Sequence, residues 1–485
     1  MLFNSVDFAL FFPVVFVLYW LTASNKNIRN GFLLVSSYFF YGFWDWRFLF
    51  LIFISSSVDF VVGLLIHGTD NKQRRRLYLY LSLLVNLGFL VYFKYTNFFI
   101  QSFVDAFRLF GNPIELSTLK IILPVGISFY TFQTLSYTID IYRRKIEPTR
   151  DILAFFTFVA FFPQLVAGPI ERASHLLPQF FRTYKFNYDM VKNGLMLMAF
   201  GLFKKMVIAD RLAILVNQVY NNPSEHFGLE LVVATIFFAF QIYCDFSGYS
   251  DIAIGIARTM GFDLMKNFDS PYFSKSITEF WRRWHISLST WFRDYVYIPL
   301  GGSRRGYYRT YFNLFLVFVV SGVWHGAAWT FVIWGVIHGV IIVLEKALKK
   351  PRNKVFDFIG VNRGTFSESF FFILITFSIV CFAWIFFRAN TLTDALVIVD
   401  NLWRFGDGSS VYELGLAPIE FHLSLIVIFL LVLFDWFHNT QSAYIWLKKQ
   451  NFVFRWASYV IIVFSIIIFG VYGDLVPKEF IYFQF

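Results

Sequence analysis

The chain has 485 residues, of which 58% are hydrophobic, 22% are aromatic (68 of them Phe) and only 15% are charged. This composition excludes a water-soluble globular domain and indicates a polytopic membrane protein. The formal net charge of +11 is better explained by cytoplasmic loops, where membrane proteins concentrate Lys and Arg, than by nucleic-acid binding.

Apolar runs recur along the whole chain. The amino terminus lacks the positive region of a cleavable signal, so the first run is expected to remain as a helix. Together the runs predict an all-α, single-domain membrane protein with roughly 11–13 transmembrane or re-entrant helices. They lie at 7–22, 31–45, 48–66, 77–94, 117–141, 151–168, 193–216, 229–244, 311–326, 327–345, 370–387, 422–438 and 456–473.

Clusters of Lys and Arg predict which loops face the cytoplasm. They lie near residues 72–76, 143–150, 266–309, 346–354 and 448–455. Placing all five inside puts both termini outside and leaves three apolar runs between 150 and 266, so one of these must be re-entrant or lie flat. The charged, Trp- and Tyr-rich stretch from about 250 to 309 holds no run able to span, and it is expected to form short helices at the cytoplasmic interface.

Residues 281–302 form the most informative segment of the chain. Helical spacing over 281–297 predicts a single stripe of Trp281, Trp284, His285, Leu288, Trp291 and Phe292. The flanking Arg282 and Arg283 can bind phosphate, so with Trp281 and Trp284 they are predicted to hold a nucleotide- or pantetheine-linked donor. An interfacial anchor helix with snorkelling arginines is an equally weighted alternative on spacing alone.

His325 follows 40 residues after His285, inside an apolar run between Trp324 and Gly326. An ionisable residue in hydrocarbon is costly and therefore suggests function. Without a carboxylate one helical turn away, we expect a neutral ring that can accept a proton from a hydroxyl. Gly322 and Gly326 should allow another backbone to approach closely, whereas His338 is interpreted as structural.

Other kinds of chemistry find less support in the sequence. Neither histidine has the spacing of a metal site, and the two cysteines, Cys244 and Cys381, indicate neither a metal site nor a disulfide framework. Ser247, the nearest candidate for a serine nucleophile, lies in a polar segment with Asp245 and Asp251, which we interpret as the start of a helix broken at Gly248.

The chain resembles the membrane-bound O-acyltransferases, and within them the branch for bacterial alginate O-acetylation, with relatives in peptidoglycan O-acetylation and teichoic acid D-alanylation. The motifs that carry this resemblance are Leu123-Pro-Val-Gly-Ile-Ser-Phe-Tyr130, Phe162-Pro-Gln-Leu-Val-Ala-Gly-Pro-Ile-Glu-Arg172, Asp245-Phe-Ser-Gly-Tyr-Ser-Asp251, Trp281-Arg-Arg-Trp-His-Ile-Ser-Leu-Ser289, Tyr297-Ile-Pro-Leu-Gly-Gly302, Ser321-Gly-Val-Trp-His-Gly326 and Ala383-Trp-Ile-Phe-Phe-Arg388. The resemblance implies a ring of tilted helices around a central tunnel, with His325 catalytic and His285 its partner.

The resulting hypothesis is acyl transfer, with acetyl favoured, in the inner membrane of a bacterium. The donor would be acyl-CoA or an acyl-carrier thioester from the cytoplasm, and the acceptor a polysaccharide reached through an extracytoplasmic acetyltransferase partner. The C-terminal tail resembles that of a small partner peptide in teichoic acid D-alanylation, so Tyr482 is a candidate acyl relay, with an interfacial aromatic anchor as the alternative. A transporter or flippase, and a non-catalytic scaffold of a polysaccharide export complex, are the competing functions.

Overall fold

The computed structural model describes residues 1–111, 114, 116–404, 411–440, 443–472 and 480–481. Within these residues the regular secondary structure is entirely helical. Seven helical stretches are long and apolar enough to cross a membrane, so the prediction of an all-α, multi-pass membrane protein is confirmed. They are Lys26–His67, Lys72–Leu109, Leu229–Thr259, Trp329–Phe358, Phe366–Arg388, Pro418–Thr440 and Phe452–Phe469.

The α-helices follow one another with short connections. In chain order they are α1 Val6–Thr22, α2 Lys26–Asp45, α3 Leu49–His67, α4 Lys72–Leu90, α5 Thr96–Leu109, α6 Ile127–Tyr142, α7 Ile152–Ala160, α8 Phe162–Leu165, α9 Ala173–Leu176, α10 Tyr188–Leu202, α11 Asp210–Asn221, α12 Leu229–Thr259, α13 Ile277–Arg283, α14 Ile286–Phe292, α15 Tyr307–His325, α16 Trp329–Phe358, α17 Phe366–Arg388, α18 Leu392–Asn401, α19 Pro418–Thr440, α20 Ala443–Lys448 and α21 Phe452–Phe469. The π-helical segments are Val91–Tyr95, Phe203–Ala209 and Arg293–Tyr297, and the 3₁₀ turns are Trp46–Phe48, Leu177–Phe181, Pro223–Glu225, Pro271–Phe273 and Val411–Glu413.

The chain divides into two compact units. Unit 1 comprises residues 1–198 and 249–265, and unit 2 comprises residues 199–248 and 266–485. Helices in both units begin at polar caps: the side chain of Asn25 accepts the first free N–H groups of α2, and Thr365 does the same for α17. Both histidines singled out by the sequence belong to unit 2.

The seven candidate spans are fewer than the 11–13 predicted elements for a structural reason. The runs 31–45 and 48–66 fall in one stretch, Lys26–His67, and the runs 7–22, 117–141, 151–168, 193–216 and 311–326 lie outside the seven spans. The run 151–168 forms only α7, of nine residues, and the four-residue α8. At about 1.5 Å per residue, α7 is too short to cross a bilayer.

Two sequence predictions were wrong in detail. The helix α12 runs through residues 244–251 without a break, so Ser247 and Gly248 lie within a helix and not at its start. The predicted continuous stripe over 281–297 is interrupted, because α13 ends at Arg283 and His285 takes a left-handed backbone conformation with φ of 44°. Between α12 and α15, the remaining helices have at most seven residues, as expected for short interfacial elements.

Candidate active site

The helices α15 and α16 form the frame that positions His325. They approach so closely at Gly322 and Gly335 that a Cβ on Gly322 would lie 2.4 Å from the carbonyl oxygen of Phe331, and one on Gly335 would lie 2.4 Å from that of Phe318. No side chain fits there, so the predicted close approach at Gly322 is confirmed. At Gly326 a Cβ would meet the ring of Phe331 at 2.2 Å, which pins the chain just after His325.

His325 is the last residue of α15 and is buried. Three aromatic rings meet its imidazole edge to face: Trp324 and Trp334, each with a centroid separation of 4.9 Å, and Phe387 at 5.4 Å. These rings come from α15, α16 and α17, so three helices build the walls. The arrangement surrounds the imidazole with aromatic rings from three helices.

His285 occupies the break between α13 and α14. Its Nδ1 lies 3.1 Å from Asn267 Oδ1, which also accepts the backbone N–H of Ser287 at 3.3 Å. Because a backbone N–H can only donate, the Asn267 atom is the oxygen, and His285 Nδ1 carries a proton. Burial lowers the pKa of His285 to about 3, so at neutral pH the ring is neutral, with its lone pair on Nε2.

A left-handed backbone on a residue other than glycine is sparsely populated and occurs often at functional sites. At His285 it is held from both sides, since the N–H of Ile286 donates to the carbonyl of Asn267 at 2.9 Å and the N–H of Trp284 donates to that of Phe280 at 2.8 Å. The ring of His285 therefore has a fixed direction. It meets Phe246 of α12 edge to face, at 4.6 Å.

Trp324 brings the two sequence-predicted histidines into one site. Its ring lies 6.2 Å from His285 and 4.9 Å from His325, centroid to centroid. Both histidines thus contact the same indole ring. The prediction that His285 and His325 act together has the geometry it needs, while their chemical roles remain predictions.

His338 belongs to the same cluster, one helical turn after Trp334 on α16. The indole N–H of Trp281 donates to its Nδ1 over 3.2 Å. Since Trp is only a donor, Nδ1 must be unprotonated, and the ring is neutral with its proton on Nε2. Its ring lies 5.0 Å from that of Trp334, which in turn contacts His325.

A cavity of about 240 Å³ lies beside this cluster. Its walls are mainly apolar, with two arginines at the edge. The lining residues are Thr278, Trp281, Arg282, Leu288, Ser289, Phe292, Arg293, Tyr297, Leu314, Val317, Phe318, Ser321 and Ile342. Trp281 and Phe292 connect it to the histidine cluster, because Trp281 bonds to His338 and the ring of Phe292 lies 6.4 Å from that of Trp324.

Of the four residues predicted to bind a donor, the structure places Trp281 and Arg282 on the cavity wall. Arg283 points elsewhere: its guanidinium bonds to Glu279 at 2.8 Å and to Asn439 at 2.7 Å. Trp284 is fully buried against Trp384, with ring centroids 5.2 Å apart.

For several residues of the site, local sequence patterns gave no indication that they belong to it. Asn267 lies 18 residues before His285 and nothing in its surroundings predicts a contact. Trp384 and Phe387 stand in one of the motifs that carry the family resemblance, which was their only signal. Tyr482 lies outside the described residues, and within those residues no group of three or more His, Cys, Asp or Glu side chains could hold a metal ion.

Comparison with known proteins matches residues 144–387 to the membrane-bound O-acyltransferase family. The chain is 42% identical over 408 residues to "Probable alginate O-acetylase AlgI" of Pseudomonas aeruginosa, covering 83% of this chain and 75% of that protein. It is 37% identical over 451 residues to "Peptidoglycan O-acetyltransferase" of Helicobacter pylori, covering 87% and 83%. It is 30% identical over 291 residues to "Teichoic acid D-alanyltransferase" of Bacillus subtilis, covering 55% and 69%.

Proposed function

Because the chain belongs to the membrane-bound O-acyltransferase family and is an O-acyltransferase, we propose that it acylates an extracytoplasmic polysaccharide from a cytoplasmic thioester. Acetyl is the favoured group, since the relatives at 42% and 37% identity carry the names of an O-acetylase and an O-acetyltransferase. The membrane is the bacterial inner membrane, where donor and polymer lie on opposite sides.

The cavity beside His338 is the proposed donor site. Apolar walls suit the pantetheine arm that CoA and acyl carriers share, and Arg282 and Arg293 at its edge suit the phosphates. A series of ring contacts leads from the cavity to His325: Trp281 contacts His338, His338 contacts Trp334, and Trp334 contacts His325. A thioester held along this series would bring its carbonyl to the catalytic histidine.

The single observation that carries the proposal is the burial of His325 among Trp324, Trp334 and Phe387. A neutral imidazole in such a site is a competent general base. His325 accepts the proton of the acceptor hydroxyl while the oxygen of that hydroxyl bonds to the carbonyl carbon of the thioester. The C–S bond then breaks, and the proton passes to the departing thiolate, which leaves as a thiol.

His285 is proposed as the partner that orients the donor. The lone pair on its Nε2 can accept a hydrogen bond from an amide N–H, such as those of a pantetheine arm. It cannot donate to a carbonyl from that atom while the ring is neutral. The tautomer set by Asn267 therefore favours orientation over polarisation of the thioester.

The C-terminal tail is the proposed route to the polymer. Tyr482 would take the acyl group on its phenol oxygen, with His325 as base, and an extracytoplasmic acetyltransferase would then move it to the polysaccharide. Support comes from the two residues before it: Phe480 and Ile481 are buried in unit 2, and the ring of Phe480 lies 5.5 Å from Phe246, which contacts His285.

The test is polymer acylation in cells whose only copy of the protein is the wild type or His325→Gln. Ester groups released from the purified surface polysaccharide by mild base are identified by mass spectrometry, and membrane levels of both proteins are compared by immunoblotting. We expect acetyl esters only with the wild type. Wild-type ester content in the variant, at equal protein level, would overturn the proposal and favour a transporter or a scaffold.

A further inference from the structure

The mechanism above makes no use of a buried charge cluster in unit 2. Lys205 Nζ lies 2.9 Å from Asp210 Oδ1 and 2.6 Å from Asp245 Oδ1, and all three residues are buried. Although burial alone lowers it, the charges of Asp245 and Asp210 raise the pKa of Lys205 above its ordinary value. The ammonium group therefore stays charged and holds two carboxylates at once.

This cluster is built on an unusual backbone. Lys205 belongs to the π-helical segment Phe203–Ala209, a wider helical form that is rare and is frequent at functional sites. The wider turn places two successive lysines in the interior, and Lys204 donates to Ser247 of α12 at 2.9 Å. Because Lys205 is shared by two carboxylates, each carboxylate keeps oxygen lone pairs that can accept further hydrogen bonds.

The chain's own end supplies such a donor. The backbone N–H of Ile481 donates to Asp245 Oδ2 at 2.7 Å, so the two oxygens of Asp245 hold Lys205 and the tail separately. The first residue of the tail is tied to the same π-helical segment, because the N–H of Val471 donates to the carbonyl of Met206 at 3.0 Å. Phe480 packs on Phe246, the residue that follows Asp245.

The geometry points to Asp245 as the anchor of the chain's own C-terminal segment, holding Ile481 by its backbone N–H beside the ring that contacts His285. Asp245 accepts a hydrogen bond from the backbone of Ile481 and not from its side chain, so the contact fixes the position of residue 481. Tyr482 is the next residue in the sequence. The purpose of the anchor, presenting Tyr482 for acylation, rests on the proposed function, whereas the anchor itself does not.

Protection of a cysteine at position 481 tests the anchor without measuring acyl transfer. Ile481→Cys keeps the N–H, and Cys244→Ala and Cys381→Ala remove the native thiols. In detergent-solubilised, monodisperse protein, we expect Asp245→Ala to speed alkylation by a small maleimide at least tenfold. Asp210→Ala, which also removes a carboxylate from Lys205 but does not touch the tail, should stay within about threefold of the parent.

A second pair of variants leaves the charge cluster intact. Ile481→Pro removes the N–H that Asp245 accepts, while Ile481→Ala removes the side chain and keeps the N–H. We expect polymer acetylation to fall at least tenfold in Ile481→Pro and by less than threefold in Ile481→Ala. Equal alkylation rates with and without Asp245 would overturn the anchor. Equal acetylation in the proline and alanine variants, together with faster alkylation in Asp245→Ala, would keep the anchor and remove its purpose of presenting Tyr482. Faster alkylation in Asp245→Ala together with normal acetylation in Tyr482→Phe would instead keep the anchor and remove the relay.

Discussion

Two buried polar regions of this protein are organised in opposite ways. In unit 1, Asp59 of α3 is fully buried, and its carboxylate accepts hydrogen bonds from Ser82, from Asn86 at 2.9 Å and from Thr138 at 3.1 Å. The donors come from α4 and α6, so three helices meet at one carboxylate. A network satisfied in this way fixes how the helices pack.

In unit 2, the imidazole of His325 is surrounded mainly by aromatic rings. The indole N–H groups of Trp284, Trp334 and Trp384 are buried and find no acceptor among the described residues. Such groups are rare and costly in native proteins, and those at a functional site commonly serve a ligand. The difference teaches that buried polarity takes more than one form: Asp59 is surrounded by hydrogen-bond donors from two helices, while the imidazole of His325 is surrounded by aromatic rings.

Among the substitutions that test this comparison, the largest effect on acyl transfer is expected at His325. Glutamine has a similar volume and can still form hydrogen bonds, but it cannot act as a base at neutral pH. We expect His325→Gln to lower acyl transfer by about 10²- to 10⁴-fold, the usual range for losing a general base. The thermal midpoint of the purified protein should hardly change. A large fall in that midpoint with proportional loss of activity would make His325 a packing residue like Asp59.

The next effect concerns the end of the chain. Tyr482→Phe keeps the aromatic ring and removes only the hydroxyl that the acyl group would occupy. If Tyr482 is a relay, polymer acetylation should fall about 100-fold or more, since no alternative oxygen has the same reach. Mass spectrometry of the wild-type C-terminal peptide should also show an ester on Tyr482. Acetylation at the wild-type rate would leave Tyr482 as an interfacial anchor.

Asp59 provides the opposite case. Asp59→Ala removes the acceptor of Ser82 and Thr138 and one of the two acceptors of the Asn86 amide, which should cost on the order of 3 kcal/mol in the free energy of unfolding. We expect a clearly lower thermal midpoint, but near-normal acyl transfer per correctly folded molecule below that temperature. Thr138→Val, which removes one hydrogen bond and keeps the shape, is the milder control. If Asp59→Ala kept normal stability but lost acyl transfer, we would conclude that the network around Asp59 is a functional site.

The histidine site could be predicted from the sequence only as far as local patterns reach. His325 stands out because an ionisable residue interrupts an apolar run, and Gly322 because glycines permit close helix packing. The break at His285 could not be predicted, since its left-handed backbone is stabilised by Asn267, which is remote in sequence. Helical spacing across 281–297 favoured one continuous helix, which is wrong because α13 ends at Arg283. Of the residues predicted to bind a donor, Trp281 and Arg282 line the cavity, and their role stays a prediction.

The same limit applies to the fold. Apolar runs predicted α2, α3, α16 and α17 well, because hydrophobic length decides whether a segment can span a membrane. The run 151–168 is equally apolar, yet it forms only short helices around Phe161 and Pro163. The contact between Ile481 and Asp245 joins residues 236 positions apart through a backbone N–H, a group that every residue except proline carries. Sequence patterns contain no signal for such a contact.

A smaller effect separates the two arginines that the sequence treated alike. Arg282 lies on the cavity wall, whereas Arg283 is engaged by Glu279 and Asn439. Because Arg282 is exposed, its contact with a donor phosphate is partly screened, and we expect Arg282→Ala to raise KM for the thioester by about three- to tenfold. Arg283→Ala should leave KM unchanged. The Arg282→Ala effect should shrink in high salt, and equal KM changes in both variants would contradict the assignment of the cavity.

The smallest effect is on the pH dependence of the free energy of unfolding. One histidine in each unit contributes to it, and the two contributions have opposite signs. Burial lowers the pKa of His285 to about 3, well below the unfolded value of about 6.5. Below pH 6.5 the unfolded chain therefore binds a proton that the folded chain refuses, and stability falls with pH by up to about 1.4 kcal/mol per unit. In unit 1, the hydrogen bond to Glu171 raises the pKa of His175, so His175 contributes stability below pH 6.5 and loses it as pH rises through its folded pKa.

Thermal midpoints of the wild type, His285→Gln and His175→Gln between pH 5 and 8 measure both contributions, since other titrating groups cancel in the differences. Relative to the wild type, His285→Gln should gain stability as the pH falls from 7 to 5, by about 2 kcal/mol. His175→Gln should lose stability over the same interval, and by less, because that side chain is 38% exposed and solvent screens its partner. Parallel curves for the wild type and His285→Gln would mean that the pKa of His285 is the same in the folded and the unfolded protein, which would contradict the shift caused by its burial.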